Sequence, residues 1–127
     1  VGMAQSAFVD PSGIGDGNIS NCVDLFNLSK YLYNNRSFIL KISSGNLKNS
    51  VYGKPLFDDL GNFNLFGDNP SFIGGKIGKT TAAKETFLYV FDMHLSGEDR
   101  PVAVILLGSD DVGGDTWKVI NWLRSTY

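Results

Sequence analysis

The sequence predicts an α+β domain, an antiparallel sheet of about three strands with packed helices. Three observations carry this. Two apolar runs, Thr86 to Leu95 and Pro101 to Ser109, flank the short connection Ser96-Gly97-Glu98-Asp99, which is the pattern of a β-hairpin. The stretch from about 20 to 33 repeats its apolar positions every three or four residues, as a helix does. A second such pattern, Asp115 to Arg124, closes the chain with Trp117, Ile120 and Leu123 on one stripe and Val119 and Trp122 widening it.

Residues 1–19 read as loop, because Pro11, Gly13, Gly15 and Gly17 interrupt any regular element. Ser20 or Asn21 can cap the first helix, and Asp24 in its first turn suits the helix dipole. Its expected inward stripe is Cys22, Leu25, Phe26, Ser29, Leu32 and Tyr33, and Asn34-Asn35 ends it. A short helix or turn follows at Ser37 to Ile42, and Ser44-Gly45-Asn46 reads as a turn. Short extended pieces are expected around Val51-Tyr52 and Asn62 to Leu65. A first strand is expected around 72–79, ahead of the hairpin. Both faces of Thr86 to Leu95 are largely apolar, so the sheet needs cover on both sides.

Length and composition bound the function. A chain of 127 residues with 43% hydrophobic and 13% aromatic content is one domain with a core, not a disordered tail. The net charge is −2 and the lysines are scattered, which argues against nucleic acid as a partner. Cys22 is the only cysteine, so no internal disulfide or thiolate metal site is expected; a lone helical cysteine reads as a small core residue. His94, the only histidine, has no serine and acid arranged around it in sequence and reads as a surface-strand residue. The pairs Asp58-Asp59 and Asp110-Asp111 lack metal-ligand spacing and read as solvated turns. No cofactor and no metal are expected, and no run of eighteen apolar residues exists.

The stretch with the most chemistry is Phe72-Ile73-Gly74-Gly75-Lys76-Ile77-Gly78-Lys79-Thr80-Thr81, whose glycines and lysines bring backbone and ammonium groups close to something. A phosphate-cradling loop is one candidate, and counting disfavours it. The position five before Gly78-Lys79-Thr80 is Ile73, and Gly74 comes one residue too late to close the ring of donors. The other candidate is a strand lining a cleft, in which Lys76 faces a substrate carboxylate. An exposed lysine that protects a sheet edge is the structural alternative.

A longer ordered set supports the cleft. Phe8-Val9-Asp10-Pro11-Ser12-Gly13-Ile14, then Ser20, Asp24-Leu25 and Leu28, then Gly75-Lys76-Ile77-Gly78-Lys79-Thr80 with Ala83, then Phe87 to Phe91, then Arg100 to Ser109, resembles the C-terminal part of the serine-type D-alanyl-D-alanine carboxypeptidases, the low-molecular-weight penicillin-binding proteins. The resemblance covers nearly the whole chain in the family's order. It implies a partial β-lactamase/DD-peptidase-like domain over residues 1–127, lacking the nucleophile-bearing N-terminal part. It implies substrate-binding roles at Lys76, Ile77, Gly78 and Thr80, with Asn62 and Asn64 structural. It also implies a bacterial cell-envelope location, periplasmic or extracellular, and peptidoglycan peptide or a β-lactam as the ligand of the complete enzyme.

Two departures concern catalysis. No lysine is preceded at three residues by a serine, so the chain has no Ser-x-x-Lys, and no catalytic residue is expected within it. Ile77 stands where the family has a threonine that hydrogen-bonds the substrate carboxylate; losing such a donor costs about 1–3 kcal/mol. The implied function is therefore a C-terminal fragment of a D-alanyl-D-alanine carboxypeptidase, acting by serine acyl transfer only with its missing part. The alternative is a degenerate, non-catalytic peptidoglycan-binding or assembly module. Without a neighbour, Pro101 to Ser109 is expected to leave an apolar edge open to self-association or to a complementing N-terminal chain.

Overall fold

A computed structural model describes residues 1–45 and 63–127. The described elements are α1 (Cys22–Asn35), α2 (Ser37–Ser44), β1 (Phe72–Thr80), β2 (Lys84–Leu95), β3 (Glu98–Ser109) and α3 (Val112–Thr126). The strands form one antiparallel sheet of three, as expected, and its order is β1-β2-β3, with β3 at an edge. Asn46, the pieces around Val51-Tyr52, Asp58-Asp59 and Asn62 lie outside the described residues.

Strand alternation sorts the side chains into two faces. Phe87, Tyr89, Phe91, Met93 and Leu95 of β2 and Val104 of β3 form one buried cluster with Phe66, Phe72 and Val112 and Ile120 of α3. Phe66 lies edge-on to Phe87, Tyr89 and Phe91, with ring centroids 5.6–6.1 Å apart. On the opposite face Val90, Pro101 and Ala103 meet Phe26, Ser29 and Tyr33 of α1, while α2 lies on β1. The sheet is thus covered on both sides, as its two-sided apolar pattern requires.

Element ends depart from the sequence reading for local reasons. The hairpin turn is two residues, not four: Ser96 and Gly97 both have positive φ, 52° and 82°, so the pairing runs on through Glu98 opposite Leu95. The last helix starts at Val112, three residues earlier than its apolar period suggests. The Asp111 carboxylate accepts the Gly114 N–H at 2.9 Å and Glu85 accepts the Val112 N–H at 3.0 Å, so Gly113-Gly114 enter the first turn instead of breaking it. Helix α2 runs to Ser44 and Gly45 closes it in the left-handed conformation, φ 77°.

In α1 the N-cap is Asn21, whose side chain accepts from the Asp24 N–H. Cys22 is exposed and not a core residue. In the first turn Asp24 takes the inward direction: its carboxylate accepts the Gln5 N–H at 2.9 Å and the Ser6 hydroxyl at 2.7 Å, tying the N-terminal segment down. Phe26 and Tyr33, expected in the buried stripe, are partly open to solvent because they flank a groove instead of filling it.

Candidate functional site

Within the Phe72 to Thr81 stretch, Phe72 to Thr80 is a strand and Thr81 opens the turn into β2, so it is not a phosphate loop. Gly74 to Thr80 pair residue by residue with Val90 to Lys84, after an irregularity between Phe72 and Gly74. Its glycines do bring the backbone close to something, and two of those neighbours belong to the fold itself. A Cβ at Gly74 would lie 2.1 Å from the Leu40 carbonyl oxygen of α2, and one at Gly75 would lie 2.5 Å from the Tyr89 ring. The Gly75 N–H donates to Ser43 Oγ at 2.9 Å, and Asn64 Nδ2 donates to the Ser43 carbonyl at 2.5 Å. Asn64 is thereby structural, and Ser43 is a support that the sequence reading did not single out.

Beyond α2 the strand changes character. Lys76, Gly78 and Thr80 project to one face and Ile77 and Lys79 to the other. Lys76 is exposed on the marginal strand, and its ammonium reaches the carbonyl of Ile77 next to it. Among the described residues no carboxylate pairs with it. Gly78 has open space except for Thr86 Oγ1, 3.1 Å from where a Cβ would stand. Thr80 Oγ1 accepts the Ala83 N–H at 3.0 Å, so this hydroxyl braces the turn into β2.

The Ile77 side chain lies on the opposite face from that of Lys76. It pairs with Phe87 and packs against the aromatic cluster on the α3 side. The four sequence-derived site residues are therefore split, three on one face and Ile77 on the other. Next to Ile77 on its face, Lys79 donates to Glu85 at 2.8 Å. That hydrogen bond, with the charge attraction behind it, raises the Lys79 pKa. The same bond, then the Val112 N–H, holds the Glu85 carboxyl below its usual range. Lys79 thus pairs with the carboxylate that holds the start of α3, while its own side chain stays largely exposed.

The other sequence motifs resolve into structure. In the Phe8 to Ile14 block, Asp10 is the hub of its loop: it accepts from the N–H groups of Ser12, Gly13 and Gly15, from the Ser12 hydroxyl and from Asn18 Nδ2. The Ser12 and Asn18 bonds contribute most to holding its carboxyl far below the usual range. His94 is exposed, with Nδ1 2.8 Å from Asp99 across the hairpin and no serine in the arrangement. Among the described residues no cluster of His, Cys, Asp and Glu could hold a metal, and no helix is long and apolar enough to cross a membrane.

Sequence reasoning missed one concavity. A groove of about 250 Å³ runs between α1 and the outer part of the sheet, lined by Phe26, Lys30, Tyr33, Val90, Pro101 and Ala103 among others. The signal was present: Phe26, Ser29 and Tyr33 fall at i, i+3 and i+7 on one face, which was read as core. No family model, curated protein or solved structure matches this chain.

Proposed function

We propose that this chain is the C-terminal part of a serine-type D-alanyl-D-alanine carboxypeptidase, contributing the lysine-bearing margin of a cleft that binds peptidoglycan stem peptides. The observation that carries the reading is Lys76: an exposed ammonium without a carboxylate partner among the described residues, followed on the same face by Gly78, on a strand whose first half is held by α2. An unpaired cation on a rigid strand favours a substrate carboxylate and developing negative charge. Gly78 leaves room for an extended peptide beside the strand. The chain does no acyl transfer alone, because none of its lysines completes a Ser-x-x-Lys. The serine hydroxyl that would attack the penultimate D-alanine carbonyl, expelling the terminal D-alanine before water frees the acyl-enzyme, comes from other polypeptide. Peptidoglycan, and with it the cell envelope, is the setting this reading implies.

The test is titration of the labelled chain with a peptide ending in D-Ala-D-Ala, followed by amide chemical shifts. Shifts are expected at Lys76 to Thr80, stronger than with the L-Ala-L-Ala peptide and lost in Lys76→Ala. Because Lys76 is exposed, that variant stays within about 0.5 kcal/mol of the parent in stability. Absence of shifts along β1, or equal shifts in the variant, refutes the reading.

A second reading is a degenerate, non-catalytic module that holds peptidoglycan peptide or serves in assembly. Ile77 favours it, since a core-facing isoleucine occupies the position where the family's threonine would meet the carboxylate. Fluorescent penicillin separates the two. Neither expects a covalent label on this chain alone, but only the first expects one to form on a Ser-x-x-Lys polypeptide when this chain is added.

A further inference from the structure

The outer edge of β3 has no neighbouring strand among the described residues. Its polar groups can be assigned from one hydrogen bond on the other side of the sheet. The Asp92 N–H donates to the Ser71 carbonyl at 2.7 Å, so Asp92 turns its backbone away from its partner Pro101. In an antiparallel ladder the same alternation then runs along β3. Val102, Val104 and Leu106 bond to β2, while Pro101, Ala103 and Ile105 direct their backbone groups outward. Pro101, which has no N–H, stands at an outward position, where the β2–β3 ladder loses nothing.

We propose that this edge pairs with β3 of a second copy of the chain, antiparallel about a two-fold axis at Val104, doubling the three-stranded sheet. The register follows from the outward groups. Centred on Val104, Ala103 of one copy faces Ile105 of the other, so each of these two symmetric pairs exchanges both of its hydrogen bonds. A two-residue slip toward the strand start puts Pro101 opposite Ile105 and removes central donors. A slip the other way runs into the bulge, where pairing with β2 becomes irregular between Phe87 and Glu85 and Gly108 has φ 74°.

Side chains agree with that register. Pro101, Ala103, Ile105 and Leu107 share the α1 face. Leu107 is 42% exposed, a large value for a strand leucine, and in the pair it lies opposite Pro101 of the other copy, at the mouth of the α1 groove. Small Ala103 faces larger Ile105, and no charged side chain lies between Pro101 and Leu107. The interface is isologous, so pairing ends at two copies. This inference uses neither Lys76 nor the peptidase reading, and the N-terminal part which that reading calls for would compete for the same edge.

The test is light scattering on the full chain across a concentration series, with hydrogen exchange at single amides. A particle of twice the 13.9 kDa chain mass is expected, with the Ala103 and Ile105 amides slowed about tenfold or more as it forms. Ala103→Pro removes an outward donor without touching the β2 ladder, and is expected to give a monomer with unchanged circular dichroism. Should that variant fail to fold, Leu107→Lys serves, because it alters an exposed side chain and is expected to weaken association at least tenfold. A parent chain still monomeric at about 100 μM overturns the proposal. So does a dimer that survives both substitutions, or open-ended growth beyond two copies. A monomer whose Ala103 and Ile105 amides slow only when an acetylated valine–threonine alternating pentapeptide is added assigns the edge to a foreign strand and equally overturns self-pairing.

Discussion

Gly74→Ala examines what the glycine-rich strand is for. The added Cβ would lie 2.1 Å from the Leu40 oxygen, 2.7 Å from its carbonyl carbon and 2.8 Å from its Cα. These are backbone atoms of a helix, so no side-chain rotation relieves the overlap, and α2 has to lift from β1. Overpacking of this kind costs about 1–3 kcal/mol. Lifting also breaks the Gly75 to Ser43 hydrogen bond, about 0.5–1.5 kcal/mol, and partly uncovers Leu40, now 2% exposed, for about 1 kcal/mol more. The sum is about 3–5 kcal/mol, a large share of the stability of a domain this size. Near 4 °C per kcal/mol, Tm falls by about 12–20 °C. Chemical and thermal denaturation with two optical probes measure it and check two-state behaviour. Gly78→Ala is the control: its Cβ meets only Thr86 Oγ1 at 3.1 Å, a group that rotates, and the expected cost is under about 1 kcal/mol. If Gly74→Ala costs less than about 1 kcal/mol, or no more than the control, the close approach of α2 to β1 is refuted.

Asp24→Ala removes the buried acceptor of the Gln5 N–H and the Ser6 hydroxyl; it should cost about 1–3 kcal/mol and speed hydrogen exchange at Gln5, and unchanged exchange there would count against the tether. Acid should destabilise the chain in a defined window. The carboxyls of Asp10, Glu85 and Asp115 all have folded pKa values below their ordinary 3.8, 4.5 and 3.8. Each therefore contributes stability that is complete above the ordinary value and is lost as pH falls through the folded one. Tm should be level above about pH 5 and decline below about pH 4, more shallowly in Asp10→Asn. A Tm that rises on acidification contradicts the sign.

The sequence alone determined the layout that rests on local periodicity. An alternating apolar strand pair with a glycine turn and two stretches of helical spacing need no distant partner to be recognised, and α1, α3 and the β2–β3 hairpin lie where that reading put them except at their ends. It also showed that the glycines of β1 admit a close neighbour. It could not say which neighbour, because the Leu40 carbonyl is 34 residues away in the chain and reaches Gly74 only when α2 lands on the sheet. The same limit applies to Cys22, which is exposed although its spacing put it in the inward stripe, and to α3, whose start depends on Glu85 reaching the Val112 N–H from β2. Ile77 shows the division most sharply. Its position beside Lys76 suggested a shared site, but the two-residue period of a paired strand turns neighbours to opposite faces, and only the sheet and its two covering layers decided that Ile77 meets the core while Lys76 meets solvent.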